Sequence, residues 1–307
     1  MKFVEHAEVF PCAGELLPGI IASPQQAFSA PTGQDPRASA GEEPASCGVL
    51  IIVGGPQYRV GSHRQFLLLA RRLAAAGYPA MRFDYRGMGD AGGAMRSFED
   101  VSADIGAALD AFQRVCPALR RIVLWGLCDA ASAALLYVHA SHDPRVTGLA
   151  LLNPWVRSEA SLAKTHIKHY YGQRLLQREF WRHLLSGRMA LLKAVHGLFQ
   201  SALAAGRPGA VAGSEKHSFQ DRMAAGWREF SGNILLVLSG EDYTAKEFLE
   251  YSGSSPVWAG LIDSTRVRRI EIAGADHTFS SRQWRAAVED ATLAWLDSLG
   301  TTANGQG

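Results

Sequence analysis

The sequence predicts an α/β protein built on a mostly parallel central sheet. Short apolar runs of strand length alternate with segments of helical spacing between Gly48 and Asn153, and again between Asn233 and Leu299. The apolar runs are continuous, as in strands buried on both faces. The composition agrees: 307 residues, 47% hydrophobic and 20% charged, with a mean hydropathy of −0.03. A chain of this kind can build a sizeable core, which excludes a wholly disordered, fibrous or membrane-embedded protein. A formal net charge of +2 is too small to argue for a nucleic-acid partner. No apolar run approaches the ~18 residues of a membrane span. The start, MKFVEHAEVF, lacks the basic-then-apolar order of a secretory signal, so a cytoplasmic location is expected.

The elements follow in order. Residues 3–23 read as one or two strands interrupted by Pro11 and Pro18. Residues 24–46 are rich in Pro, Ala, Ser, Gly and Gln, carry almost no large apolar side chains, and are expected to form a flexible loop. GVLIIVGG (48–55) is a buried strand entering a tight turn, and 63–76 follows as a helix with Phe66, Leu69, Ala70 and Leu73 on one face. Strands are expected at 79–87, 121–126 and 146–153, with helices at 97–116 and 129–140 between them. Residues 154–230 give mainly helical patterns and are expected to form a cap inserted after the strand ending near Asn153. Strand 233–240, a helix from Thr244, strand 266–274 and a helix over 283–299 complete a core of 1–153 and 231–300 with helices on both faces. The tail 301–307 is expected to be disordered.

The segment that carries chemistry is Trp125-Gly126-Leu127-Cys128-Asp129-Ala130-Ala131, at a strand-to-helix junction. A nucleophile on such a turn needs small neighbours, because the backbone is strained and bulky side chains would clash. Gly126, Ala130 and Ala131 meet that demand, and the nucleophile position holds Cys128. The start of a helix favours thiolate, while Asp129 next door opposes it. An acid is then expected after a later strand and a His after the last one. Asp242 follows strand 233–240 and His277 follows strand 266–274. His277 would take the thiol proton and Asp242 would fix its tautomer. Glu241 or Asp263 could serve as the acid instead, with Asp242 left as a helix cap, and Asp276 could orient the ring. Backbone N–H donors for an oxyanion are expected from Asp129 and from Gly55 or Gln57, because Pro56 has none. Arg59, His63 and Arg64 follow that loop and are weaker candidates for binding a substrate anion. Cys12, Cys47 and Cys116 read as small buried hydrophobes. No cluster has metal-ligand spacing, and no nucleotide-binding glycine pattern occurs, so neither metal nor cofactor is expected.

Together these residues resemble the α/β-hydrolase superfamily over residues ~48–153 and ~233–299. Phe83-Asp84-Tyr85-Arg86-Gly87-Met88-Gly89-Asp90 resembles a loop common in serine aminopeptidase-like and lysophospholipase-like members, with Asp90 in place of their Ser and Arg86 in a structural role. GGPQYRVGSHRQF and WGLCDAASAAL resemble the exosortase A system-associated hydrolase 1 group. That resemblance implies a bacterial hydrolase linked to exosortase and exopolysaccharide systems. Two departures from the wider superfamily stand out: Cys128 in place of Ser, and Gly54 where many members have His. The expected reaction is hydrolysis of an ester or thioester through an acyl-enzyme on Cys128. Acyl transfer by the same thiol and a non-catalytic scaffold are the alternatives. Between Arg157 and Glu229 there are twelve Lys or Arg against five Asp or Glu, a bias suited to an anionic or carrier-linked acyl substrate.

Overall fold

A computed structural model describes residues 2–25, 46–55, 57–157 and 218–303. The flexible loop expected at 24–46 and the cap expected at 154–230 fall mostly outside these residues, as do residues 304–307. Eight strands form one sheet: β1 (Phe3–Cys12), β2 (Glu15–Pro24), β3 (Cys47–Ile52), β4 (Ala80–Phe83), β5 (Arg121–Leu127), β6 (Val146–Leu152), β7 (Asn233–Ser239) and β8 (Val267–Ile272). The six described α-helices are α1 (Gln65–Ala75), α2 (Ser102–Val115), α3 (Asp129–Ser141), α4 (Phe219–Glu229), α5 (Tyr243–Ser254) and α6 (Arg282–Ala303).

The strand order is β1-β2-β4-β3-β5-β6-β7-β8. From β4 to β8 every neighbouring pair is parallel, while β1–β2 and β2–β4 are antiparallel. The N-terminal stretch, expected to form one or two strands, is thus a two-stranded hairpin. Ala13 and Gly14 turn it with φ of 48° and 89°, the positive values that a two-residue hairpin turn needs.

The central strands are buried on both sides, which explains their unbroken apolar runs. Side chains alternate between two layers. Val49, Ile51, Val123 and Trp125 meet Phe66 and Leu73 of α1 and Trp295 of α6 on one face. Leu50, Ile52, Ile122 and Leu124 meet Ile105, Leu109 and Phe112 of α2 and Leu135 of α3 on the other. Strand β8 lies at the edge, and Arg268, Arg269 and Glu271 on it blunt that edge against pairing with other chains.

Two boundaries differ from the sequence reading. Helix α4 falls inside the stretch assigned to the cap, yet it belongs to the compact unit formed by Met1–Val156 and His217–Gly307. The reason is close helix packing: a Cβ on Gly226 would lie 2.3 Å from the Leu135 carbonyl oxygen of α3. Trp227 of the same helix is fully buried against Phe248 and Trp258, and its indole N–H donates to the Leu261 carbonyl at 3.0 Å. Helix α6 also continues past Leu299 to Ala303, where the sequence offers Gly300 but no proline to stop it.

Candidate active site

Gly55 and Gln57, Cys128, Asp242 and His277 lie just beyond the carboxyl ends of the parallel strands β3, β5, β7 and β8, the edge where open α/β sheets form their crevices, whereas Asp263 precedes the amino end of β8. The nucleophile position comes first. Strand β5 ends at Leu127 and α3 begins at Asp129, so Cys128 must reverse the chain alone. It does so at φ 63° and ψ −124°, a left-handed φ that costs a non-glycine residue energy. The turn is tight on its flanks. A Cβ on Gly126 would sit 2.5 Å from the Ala130 carbonyl carbon, so glycine is required there. The turn is braced from β6: Trp155 donates its N–H to the Cys128 carbonyl (3.3 Å), and Ser132 Oγ donates to the Trp155 carbonyl (2.7 Å). Of the four free thiols Cys128 alone is not buried. Burial pushes the other three up, Cys116 to about 11, which keeps them protonated.

Asp242 and His277 meet as the sequence order implies. His277 Nδ1 lies 2.8 Å from Asp242 Oδ2. Asp242 also caps α5, accepting from the N–H groups of Thr244 (3.1 Å) and Ala245 (3.2 Å). Capping and orienting are therefore combined in one buried carboxylate. A carboxylate can only accept, so Nδ1 carries the hydrogen and Nε2 is left for the thiol. Hydrogen bonding to Asp242, and after it to Cys128, pushes the ring up to about 10, against burial that pulls it down. Asp276 is occupied elsewhere: it accepts from Thr278 N (3.1 Å), Ser280 N (3.0 Å) and Ser280 Oγ. Glu241 is exposed and pairs with Lys246.

The loop after β3 behaves differently from expectation. The Gly55 N–H donates to Asp129 Oδ2 at 2.9 Å, and the Gln57 N–H donates to the Gly55 carbonyl at 2.8 Å. Both loop donors expected to face an oxyanion are thus engaged within the protein. Asp129 Oδ1 is buried without a hydrogen-bond partner among the described residues. Burial pushes the Asp129 carboxyl above the usual carboxylate range, against the pull of the Gly55, Ala130 and Asp129 N–H groups and of His277. Gly54 makes room for this side chain, since a Cβ there would lie 2.3 Å from Oδ1.

Gly55, Gln57, Cys128, Asp129 and His277 line one cleft, together with Gly54, Phe98, Leu127, Trp155 and Thr278. Arg59, His63 and Arg64 do not line it. The Arg59 guanidinium is committed to Asp84 and to Asp90 (2.8 Å), so it is not free to hold an anion. His63 and Arg64 are exposed and carry the strained turn into α1, with φ of 53° and 61°. Arg86 makes a buried bidentate pair with Asp104 (2.9 and 2.7 Å) and holds its loop, the structural role expected of it.

Sequence reasoning missed Asn153 and Ser239. Asn153 Nδ2 donates to Ser239 Oγ (2.8 Å) and to the His277 carbonyl (3.2 Å), and Asn153 Oδ1 accepts from the Ser239 N–H (2.9 Å). Ser239 Oγ in turn donates to the Asp276 carbonyl (2.9 Å). These buried contacts tie the His277 loop to the ends of β6 and β7. Both residues close apolar strands, and a polar side chain ending a doubly buried strand is the one signal that could have found them. Among the described residues no group of His, Cys, Asp or Glu could hold a metal ion, and no helix is long and apolar enough to cross a membrane.

The sheet order, the flanking helices and the sharp β5–α3 turn define an α/β-hydrolase fold. Solved structures agree. Est1E from Butyrivibrio proteoclasticus, solved with ferulic acid, matches with a TM-score of 0.56 at 13% identity, over 96% of this chain and 100% of its own. An esterase from Pyrococcus furiosus matches with a TM-score of 0.55 at 14% identity, over 94% and 92%. An α/β serine hydrolase without a lid from Xanthomonas campestris matches with a TM-score of 0.52 at 12% identity, over 95% and 94%. More particularly, residues 46–247 match the model of the serine aminopeptidase, S33 family, and the chain belongs to that family. No curated protein matches it.

Proposed function

We propose that the protein hydrolyses an ester or thioester through an acyl-enzyme on Cys128. The observation that supports this most is that His277, held by the buried Asp242 at 2.8 Å, lines the same cleft as Cys128. In this reading His277 Nε2 takes the proton from Sγ, and the sulfur attacks the substrate carbonyl carbon. The C–O or C–S bond then breaks, and His277 returns the proton to the departing alcohol or thiol. Water, deprotonated by the same ring, releases the acid and restores the thiol. Asp242 holds the ring and steadies its positive form. Phe98, Leu127 and Trp155 offer an apolar wall suited to an acyl chain. The positive bias of Arg157–Glu229 supports an anionic or carrier-linked substrate. The resemblance to exosortase-associated hydrolases supports a role in bacterial envelope or exopolysaccharide biology, and a free thiol nucleophile suits the reducing cytoplasm.

The test is turnover of p-nitrophenyl esters and acyl thioesters, with mass mapping of the acylated residue. Cys128→Ala and His277→Ala should each lower turnover by about 10⁴-fold or more while remaining folded. Full activity in either variant, or acylation elsewhere, refutes the reading.

A further inference from the structure

A thiolate attacking a carbonyl needs hydrogen-bond donors for the oxygen that becomes negative. One is expected from the Asp129 N–H at the start of α3, and a second from the loop after β3. The two loop N–H groups expected to supply it are taken: Gly55 donates to Asp129 Oδ2 at 2.9 Å, and Gln57 to the Gly55 carbonyl at 2.8 Å. The same loop carries another donor, the side-chain amide of Gln57, and that residue lines the cleft with Gly55 and Cys128. The orientation of the amide is fixed. Gln57 Oε1 accepts from the Ser62 N–H at 3.0 Å and from Ser62 Oγ at 3.1 Å. A backbone N–H can only donate, so the amide oxygen must face Ser62 and the NH2 must face away from it. That NH2 has no hydrogen-bond partner among the described residues, and it is not enclosed by them. It stands 3.7 Å from the position that a Cβ on Gly55 would take. Apart from the glycine's own chain neighbours, no other described atom comes within 4 Å of that position, so the space beside the NH2 is open. An amide anchored at its oxygen, with its NH2 unused, is preorganised for an acceptor that arrives from outside.

We propose that Gln57 is a catalytic residue whose side-chain Nε2–H donates to the substrate carbonyl oxygen, in place of the loop N–H groups and alongside the Asp129 N–H. This rests on the acyl-enzyme reading above. As Sγ bonds to the carbonyl carbon, the C=O pair moves onto oxygen, and the Nε2–H stabilises it without giving up a proton. The pair returns when the C–O or C–S bond breaks and the leaving group departs with the proton from His277. Because the amide carries no charge, it opposes neither the thiolate nor an anionic substrate.

Two variants and two readings test the proposal. Gln57→Glu keeps the side-chain length and an oxygen to accept from Ser62, so the melting temperature should hold, but near neutral pH it has no donor. Gln57→Leu removes the donor without adding a charge. In p-nitrophenyl butyrate hydrolysis both should lower kcat and kcat/KM together by about 10²–10³-fold, as expected for a contact made only in the transition state. The second reading is inhibition by propyl trifluoromethyl ketone, which adds to a thiolate and leaves a negative oxygen where the oxyanion would stand. Its inhibition constant should rise in both variants by a factor similar to the loss in kcat/KM. A Gln57→Leu enzyme as fast as the wild type would show that only the added charge of Glu was harmful, and overturns the proposal. A loss of kcat with unchanged affinity for the ketone overturns it too. If one variant fails to fold, the other decides by the same two readings. Failure of the underlying acyl-enzyme reading shows differently, as turnover that survives Cys128→Ala and a ketone that forms no adduct on Cys128 of the wild type.

Discussion

The turn that carries Cys128 and the loop that carries His277 line one cleft, with the buried Asp242 behind the ring, but they are held there by different means. Backbone geometry holds the first: a left-handed residue between strand and helix, with a glycine where a Cβ would strike the next turn. Side-chain hydrogen bonds hold the second, through Asp242, Asn153 and Ser239. Steric control tolerates almost no substitution and shows as a pattern of small residues. Hydrogen-bond control is spread over distant positions, and each contact can be removed singly.

The side-chain arrangement should show its largest effect at the point where it touches chemistry. Asp242→Asn keeps a helix cap, since Asn caps about as well as Asp. The denaturation midpoint should therefore move little. An amide, however, cannot fix the ring as a carboxylate does, and kcat should fall by about 10³–10⁴-fold. A large loss of stability with unchanged kcat would make Asp242 a cap and nothing more.

Gly126→Ala tests the first arrangement. Its Cβ would lie 2.5 Å and 2.6 Å from the Ala130 carbonyl carbon and oxygen. These are backbone atoms of α3 and cannot swing aside. A destabilisation of about 3 kcal/mol is expected in urea unfolding, with turnover lost because the strand-to-helix turn must open. A variant as stable and active as the wild type would show that the turn is soft.

This contrast also explains what could be read from the residues alone. The parallel sheet was legible because β3, β5, β6 and β7 are buried on both faces and so have continuous apolar sequences. Cys128 was legible because its turn restricts its neighbours to small residues. Asp242 and His277 were legible by order, each following a strand. Asn153 and Ser239 were not, because their partners lie far away in sequence and their spacing has no local rule. The β3 loop misled for a related reason: its N–H groups can be counted from the sequence, but their capture by the Asp129 carboxyl and the Gly55 carbonyl is tertiary. Arg59 misled likewise, since its partners Asp84 and Asp90 sit on another loop.

Asn153→Ala probes the side-chain arrangement away from the reacting groups. It strips the Ser239 N–H of its acceptor and the His277 carbonyl of a donor, both in buried surroundings. It also places Ala at φ 43°, a conformation Asn adopts more readily. About 2 kcal/mol should be lost in urea unfolding. Binding of substrate should weaken less than kcat falls, because the loop that slackens carries His277, the proposed base. Unchanged stability would mean that water replaces these contacts at little cost.

The smallest effect is electrostatic and has a definite sign. His277 is raised in the folded protein to about 10, chiefly by hydrogen bonding to Asp242, against about 6.5 for a free imidazole. A group raised on folding stabilises fully below its unfolded value, and that contribution is lost as pH climbs through the folded one. The stability gap between the wild type and Asp242→Asn should therefore be widest between about pH 5 and 6.5 and narrow steadily toward about pH 10. The His277 side chain is 36% exposed, so solvent screens the pair and the gap should be modest even at its widest. Thermal melts of both proteins across this range read it directly. A gap that widens with rising pH would mean that the ring is neutral when folded at acidic pH, and that Asp242 holds it by a weaker, uncharged contact.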